Sequence, residues 1–484
     1  MRAFRNTAAA IAIAVIAGAV GHAQTTPKPA APRPAATRPA AAPRAGALSV
    51  PFTQFTLPNG LHVILHEDHT VPLATVNVWY HVGSAREKPG RTGFAHLFEH
   101  LMFEGSGHVK EGEFDTLLEA AGATNNGSTQ TDRTNYYIDL PSNALELALF
   151  LESDRMGYLI DAMSPARVNG QRDVVKNERR QSYENAPYGL ADIEIAKMLY
   201  PEGHPYRWPT IGYMEDLTAA SYEDVVEFFK RYYQPSNASL VIAGDIDQVK
   251  TRGLVEKWFS DVKAGTAPVA PIDFPHAMLT SVQKKTMQDR VQLPRLYISW
   301  LTPPLYSPGD AELDVVSQIL AGGKNSRLYK RLVYDLQIAQ DVSAFEASAA
   351  LGSQFQVVVT ARPPENGATP QALIDRIRGI VDEEIAKLQK DPPTQREFER
   401  AINQIEASFL NRMESTGGFG GKGDQLNAYY TNTGNPDYFN EDLSRYRSLS
   451  ATDVQSAAAF WLPAGRRVEL VVEPTKGSEP GKDK

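Results

Sequence analysis

The 484-residue chain contains no cysteine. Disulfides, thiolate zinc sites, cysteine nucleophiles, iron–sulfur clusters and a lipidated N-terminal cysteine are therefore excluded. Long apolar runs are scarce too. After residue 23 no stretch approaches the roughly 20 apolar residues that a membrane-spanning helix needs. Acidic side chains are missing from the first fifty positions, which hold six basic ones, Arg2, Arg5, Lys28, Arg33, Arg38 and Arg44. The rest of the chain carries 43 basic against 57 acidic residues, a net charge of −14. An acidic body of this kind argues against nucleic acid and anionic membrane surfaces as partners.

Hydrophobic residues make up 42% of the chain and aromatics 9%, enough to fill real cores, and the length suits two or three domains. The N-terminus reads as a signal peptide over residues 1–23. Arg2 and Arg5 form its basic end, Ala8 to Val20 its apolar run, and Gly21-His22-Ala23 the small residues of a cleavage site. This predicts export, to a periplasmic or secreted location, with no membrane attachment once the signal is removed. Residues 24–50, rich in Pro and Ala, read as a solvated linker, and residues 474–484 as a frayed polar tail.

Between them the sequence repeats. The alternating stretch Ala74–Tyr80 recurs at Arg295–Leu301, and each is followed by an apolar helix, Gly93–Phe103 and then Ala311–Leu320. Strand signals at Asn135–Leu140 and Gln354–Thr360 are matched in the same way. Long helices follow at 143–160 and 370–389, then at 166–185 and 394–413. Each half closes on a helix and a strand, Tyr222–Tyr233 with Ser239–Ala243 and Ala451–Trp461 with Val468–Val472. The pattern predicts an α+β fold of two similar domains, each a mainly antiparallel sheet with helices packed on one face. Their expected extents are 51–263 and 276–473, joined by an Ala/Pro/Gly-rich linker over 264–275.

One motif carries chemistry. The helix GFAHLFEHLMF (93–103) is apolar all round except for His96, Glu99 and His100, which share a face at i, i+3 and i+4. Burying these groups without partners costs about 2–7 kcal/mol each. A metal ion satisfies them: two imidazoles four residues apart can hold one ion, with Glu99 beside it free to act on its water. The order H-x-x-E-H is the inverted zincin motif. Its bland alternative is a pair of core histidines hydrogen-bonded to Glu99. A catalytic zinc needs a third protein ligand. On helix 166–185, Gln171, Val174, Val175, Glu178 and Ser182 share one face, and the valines mark it as buried. Glu178 there requires a cation, either the metal or an arginine.

The segments HLFEHLMFEG, GATNNGST (122–129), RDVVKNERRQ (172–181) and HPYRWPTIG (204–212) resemble the pitrilysin/insulinase family of zinc peptidases over nearly all of 51–473. The resemblance is strongest to bacterial two-domain members related to the mitochondrial processing peptidase. It implies a zinc metalloendopeptidase with one zinc per chain, held by His96, His100 and Glu178, and with Glu99 as general base. Glu178 stands 78 positions after His100, within the family's spacing. The resemblance further implies that substrate peptide, short or unfolded, lies as an added strand along Ala123–Thr129.

Two departures from the family stand out. Where relatives carry a further Glu seven positions before the ligand Glu, this chain has Gln171, which implies tuned activity. Where active second halves carry an Arg and a Tyr that grip the substrate backbone, this chain has Val333 and Gln340. That implies the zinc-bearing subunit of a heterodimer whose related partner supplies the Arg/Tyr pair, with a homodimer as the alternative. A non-catalytic assembly subunit that keeps the peptidase fold is the competing class of function. His62, His66 and His69 read as strand and turn residues, His204 as structural, and the phosphate-loop-like GGFGGKG (417–423) as a turn between helices.

Overall fold

The computed structural model describes residues 48–265, 268–364, 367 and 369–475. The signal peptide, nearly all of the 24–50 linker and most of the polar tail lie outside the described residues. Among the described residues no helix is long and apolar enough to cross a membrane.

Two sheets organise the chain. The first contains β1 (Thr53–Thr56), β2 (His62–Glu67), β3 (Leu73–Tyr80), β4 (Thr124–Thr129), β5 (Thr134–Pro141) and β6 (Ala238–Gly244), in the order β1-β2-β6-β3-β5-β4. The second contains β7 (Gln283–Asp289), β8 (Arg295–Thr302), β9 (Ala339–Ala347), β10 (Ser353–Ala361) and β11 (Val468–Pro474), in the order β7-β11-β8-β10-β9. Without β1 the orders are identical, and so are the directions. β2–β6 and β7–β11 are the parallel pairs and every other pair is antiparallel. Sequence similarity between the halves thus reflects one topology used twice.

Alternation along the strands sorts their side chains. Val76, Val78 and Tyr80 of β3 and Tyr136, Ile138 and Leu140 of β5 face a core built with the first half's own helices. Leu296, Ile298 and Trp300 do the same in the second half. The opposite faces are also covered, and by the other half. Helix Lys422–Thr433 brings Leu426 and Tyr429 onto Ile64, Val241 and Ala243 of the first sheet. Helix Ala191–Leu199 brings Ile195 and Leu199 onto Tyr297, Leu470 and Val472 of the second. This reciprocal cover explains why β6 is buried along its whole length, since a strand covered on both faces has no polar side to expose. The halves are joined by residues 263–282, which form no helix or strand among the described residues.

Candidate metal centre

The helix Phe94–Leu101 begins after Gly93, whose φ of 90° is left-handed. A Cβ there would stand 2.8 Å from the Ile211 carbonyl oxygen, so the tight entry requires glycine. The buried carboxylate of Glu87 accepts hydrogen bonds from the backbone N–H groups of Gly93 (2.9 Å) and Ala95 (2.8 Å), capping the helix from outside. Burial pushes the Glu87 carboxyl up to about 8, against those N–H bonds. Leu97, Phe98 and Leu101 are fully buried, with Phe98 stacked on Phe228, Phe229 and Tyr233. That packing leaves His96, Glu99 and His100 on the remaining face.

Helix Pro165–Arg179 supplies the carboxylate. Ser164 caps it by accepting from the Arg167 N–H, and Pro165 occupies its first turn, where a missing N–H is harmless. Val168 and Val175 are buried, whereas Val174 is 46% exposed. The inward stripe therefore runs Val168, Gln171, Val175, Glu178, and the sequence-based placement of Val174 on it is corrected: at 100° per residue, Val174 has already turned toward solvent. Arg179 points the other way, donating to the Gly212 carbonyl at 2.9 Å. The cation facing Glu178 is thus not Arg179.

The two helices converge. Glu178 Oε2 lies 3.1 Å from His96 Nε2 and 3.2 Å from His100 Nε2, and the two nitrogens are 3.3 Å apart. A tetrahedral ion with bonds of about 2.0–2.1 Å would set its ligand atoms about 3.3 Å apart. The three atoms form one face of such a tetrahedron, and two nitrogens with one carboxylate oxygen suit zinc. Among the described residues this is the one group of three His, Cys, Asp or Glu side chains able to hold a metal ion. The charges agree with a cation site. Burial opposes ionisation of Glu178, but both imidazoles outweigh it and hold the carboxyl well below the usual range. Burial likewise opposes a charged His96, but Glu178 and Glu99 outweigh it and raise the imidazole to about 10.

Glu99 stands on the opposite side of the His96 ring, its Oε2 3.6 Å from Nδ1. It is buried, which opposes ionisation, but His96, Thr129 at the end of β4 and His100 together hold its carboxyl below the usual range. β4 passes close by because Gly127 has no side chain. A Cβ there would meet Glu99 Cγ and the Tyr136 ring at 3.1 Å. β4 is the sheet's outer strand, paired with β5 alone among the described residues. Gln171 donates to Glu104 Oε1 at 2.5 Å. A glutamate at 171 would set two carboxylates against each other, so the amide keeps one negative charge here and lets Glu104 carry it.

Among the described residues the other histidines form no metal-holding group. His62 stacks on Tyr430 at 3.8 Å, His66 bonds the Pro51 carbonyl and His69 pairs with Asp245. His204 stacks on Tyr200 and its Nδ1 accepts from the Tyr206 N–H, a structural role. In the second half Val333 is partly buried in a wide helical turn and Gln340 is exposed on β9. Sequence reading missed Glu87 and Glu104. A carboxylate six residues before a helix-starting glycine was the one available signal for Glu87.

Residues 62–194 match the family model described as Insulinase (Peptidase family M16), and residues 219–405 match Peptidase M16 inactive domain. The chain is 30% identical to Zinc protease PqqE of Helicobacter pylori over 421 residues, 84% of this chain and 92% of that protein. A crystal structure of a protease from Helicobacter pylori superposes with a TM-score of 0.80 at 26% identity, over 88% of this chain and all of that one. The periplasmic protease PqqL of Escherichia coli shares the fold at a TM-score of 0.72 and 16% identity. There 90% of this chain covers 49% of the longer protein.

Proposed function

Because the chain belongs to peptidase family M16, the insulinase family, we propose that it is a zinc metalloendopeptidase. His96, His100 and Glu178 hold one zinc ion per chain and Glu99 is the general base. The observation that carries this reading is the near-tetrahedral spacing of three donors from two helices, with the buried carboxylate of Glu99 beside them. Zinc bound there would supply Lewis acidity and make a water acidic enough to lose its proton near neutral pH. Glu99 accepts that proton at its carboxylate and returns it to the leaving amine nitrogen as the peptide bond breaks.

The substrate is an extended peptide, short or unfolded, added as a strand along β4. Gln130 and Arg133 are bonded through their backbones. Ladder alternation then turns the backbone groups of Asn125, Gly127 and Thr129 outward, where a peptide can pair with them. Gly127 and Thr129 also face Glu99, which would bring a peptide paired there close to the base. The N-terminal segment supports an exported, periplasmic or secreted enzyme. Absence of the Arg/Tyr pair at Val333 and Gln340 supports a heterodimer with a related subunit over a homodimer. The Escherichia coli protease, with about twice this chain's length, is consistent with a pair of such units.

The test is hydrolysis of an unstructured fluorogenic peptide by the zinc-loaded protein, alone and with companions from native envelope extract. A chelator should stop it, and Glu99→Gln should keep its zinc while losing at least about a thousandfold in rate. Full activity in Glu99→Gln would refute the base assignment. A zinc-loaded wild type that cleaves nothing, even with its companions, would favour the assembly-subunit reading.

A further inference from the structure

Through its glycine-rich segment the second half touches β3 and β5, the strands that lie behind the candidate substrate strand. Residues 417–423, GGFGGKG, lead from helix Gln395–Arg412 into the first turn of helix Lys422–Thr433 and run across the outer face of the first sheet. Gly418 and Gly420 have φ of 73° and 80°. A Cβ at Gly417 would fall 2.0 Å from the Asp139 carboxylate, and one at Gly423 would crowd Thr75 at 3.0 Å. The glycines are there so that this backbone can lie flat on β3 and β5.

The strap delivers Asp424, 9% exposed. Its Oδ1 accepts from Asn77 Nδ2 (3.2 Å), Trp79 Nε1 (2.8 Å) and Asn135 Nδ2 (2.8 Å), and its Oδ2 accepts from the Gly420 N–H (2.8 Å). Three of these four donors come from the strands of the opposite half. Asn135 passes the constraint outward. Its Oδ1 accepts from Ser128 Oγ (2.6 Å) and Arg133 Nη1 (2.8 Å), and the same Nη1 reaches the Ser128 carbonyl at 2.9 Å. The Arg133 guanidinium lies over the Trp79 ring, 5.1 Å from its centroid. Ser128 sits on β4 between Gly127 and Thr129, the two residues that face Glu99. One face of β4 thus lies against Glu99, and the other is bonded to Asn135, which a carboxylate from the second half holds in turn.

We propose that Asp424 is a positioning residue for peptide hydrolysis: acting through Asn135, Ser128 and Arg133, it fixes the edge strand on which substrate is laid. This rests on the reading of β4 as the substrate edge. Adhesion between the halves is supplied elsewhere, by the apolar contacts of Leu426 and Tyr429 and by the Lys422–Asp68 ion pair. Asp424 instead bonds the strand residues that lead to the site. An asparagine could keep the three-donor oxygen, but would turn an N–H₂ toward the Gly420 N–H and drop the charge that faces Arg133.

The experiment uses full-length, zinc-loaded enzyme carrying Asp424→Ala, Asp424→Asn, Asn135→Ala, or Asp424→Ala with Asn135→Ala. Zinc content should stay at one per chain. In Asp424→Ala, KM for an unstructured peptide should rise about tenfold, with kcat changed less, and Asp424→Asn should fall between it and wild type. The double variant should lose no more than the worse single one, since both break one chain of bonds. Amides of Thr124–Thr129 should exchange faster with deuterium while those of Phe94–Leu101 do not. Unchanged KM, additive losses, or equal acceleration throughout both halves would overturn the proposal. Should Asp424→Ala fail to fold, Asp424→Asn carries the same comparison. A wild type that cleaves no peptide speaks against the peptidase reading, and the exchange experiment still decides on Asp424: equal protection of Thr124–Thr129 in wild type and variant would sink it.

Discussion

The two halves share a topology but spend the same helix differently. Both helices start at a left-handed glycine, Gly93 or Gly309. Counting from those glycines, the positions of His96, Glu99 and His100 are taken in the second half by Glu312, Val315 and Val316. Val315 and Val316 are fully buried and close the core. Glu312 reaches back and accepts from the Gly309 N–H at 2.9 Å, so that helix caps itself. In the first half His96 occupies this capping position, and Glu87 from the preceding loop does the capping. The same holds for the second helix. Glu178 stands fourteen residues beyond the cap Ser164, and the residue fourteen beyond the cap Thr394 is Ser408. The fold does not need the polar cluster. The first half carries it against a desolvation cost of about 2–7 kcal/mol per unsatisfied group, which a bound cation would offset.

The contrast can be broken most sharply at the imidazoles. His100→Ala should remove the zinc and lower peptide cleavage by at least about a thousandfold. Val316→Ala, at the matching position, should leave zinc and cleavage intact and lower stability in urea by about 2 kcal/mol. Zinc loss in Val316→Ala would erase the distinction. Next come the caps. Glu87→Ala orphans two buried N–H groups and should cost about 2–3 kcal/mol in urea unfolding, whereas Glu312→Ala, which opens one partly exposed end, should cost about 1 kcal/mol. Equal costs would mean that Glu87 is not the substitute cap. Gly127→Ala presses on Glu99 and Tyr136 and should lower kcat/KM about tenfold with zinc retained.

The smallest effect lies at the seam between the halves. Lys422 holds the Asp68 carboxyl well below the usual range. A depressed folded-state pKa means that this stabilisation is complete above the unfolded value near 4 and is lost as pH falls through the folded one. Between pH 5 and pH 3, wild type should therefore lose more stability than Lys422→Met, by less than about 1 kcal/mol for this partly exposed pair. Identical pH slopes would remove the pair from the seam's energetics.

Much of the fold was legible because periodicity reports burial. The repeated strands at 74–80 and 295–301 and the helices at 370–389 and 451–461 were read to within two residues of Leu73–Tyr80, Arg295–Thr302, Pro370–Lys390 and Ala451–Trp461. The reciprocal cover was not legible, because helices Ala191–Leu199 and Lys422–Thr433 bury their faces against strands far away in sequence. β7, QKKTMQD, was hidden for another reason: it is an exposed outer strand, and its polar side chains carry no alternation. In the candidate site the i, i+3, i+4 pattern of His96, Glu99 and His100 could be read locally. Glu178 needed the family's spacing, and Val174 misled because this helix is covered on one side only: Val175 takes the inward position and Val174, 100° away, faces solvent. The glycines of 417–423 read from the sequence as a turn between helices, and the sheet that they approach was not legible because its strands lie far away in sequence.

Zinc analysis with X-ray absorption on the purified chain tests the central claim most directly, comparing wild type with His96→Ala/His100→Ala. One zinc per chain is expected in wild type, with two imidazole nitrogens and a carboxylate oxygen at about 2.0–2.2 Å, and none in the double variant. An undiminished zinc signal in that variant would place the metal elsewhere and contradict the assignment.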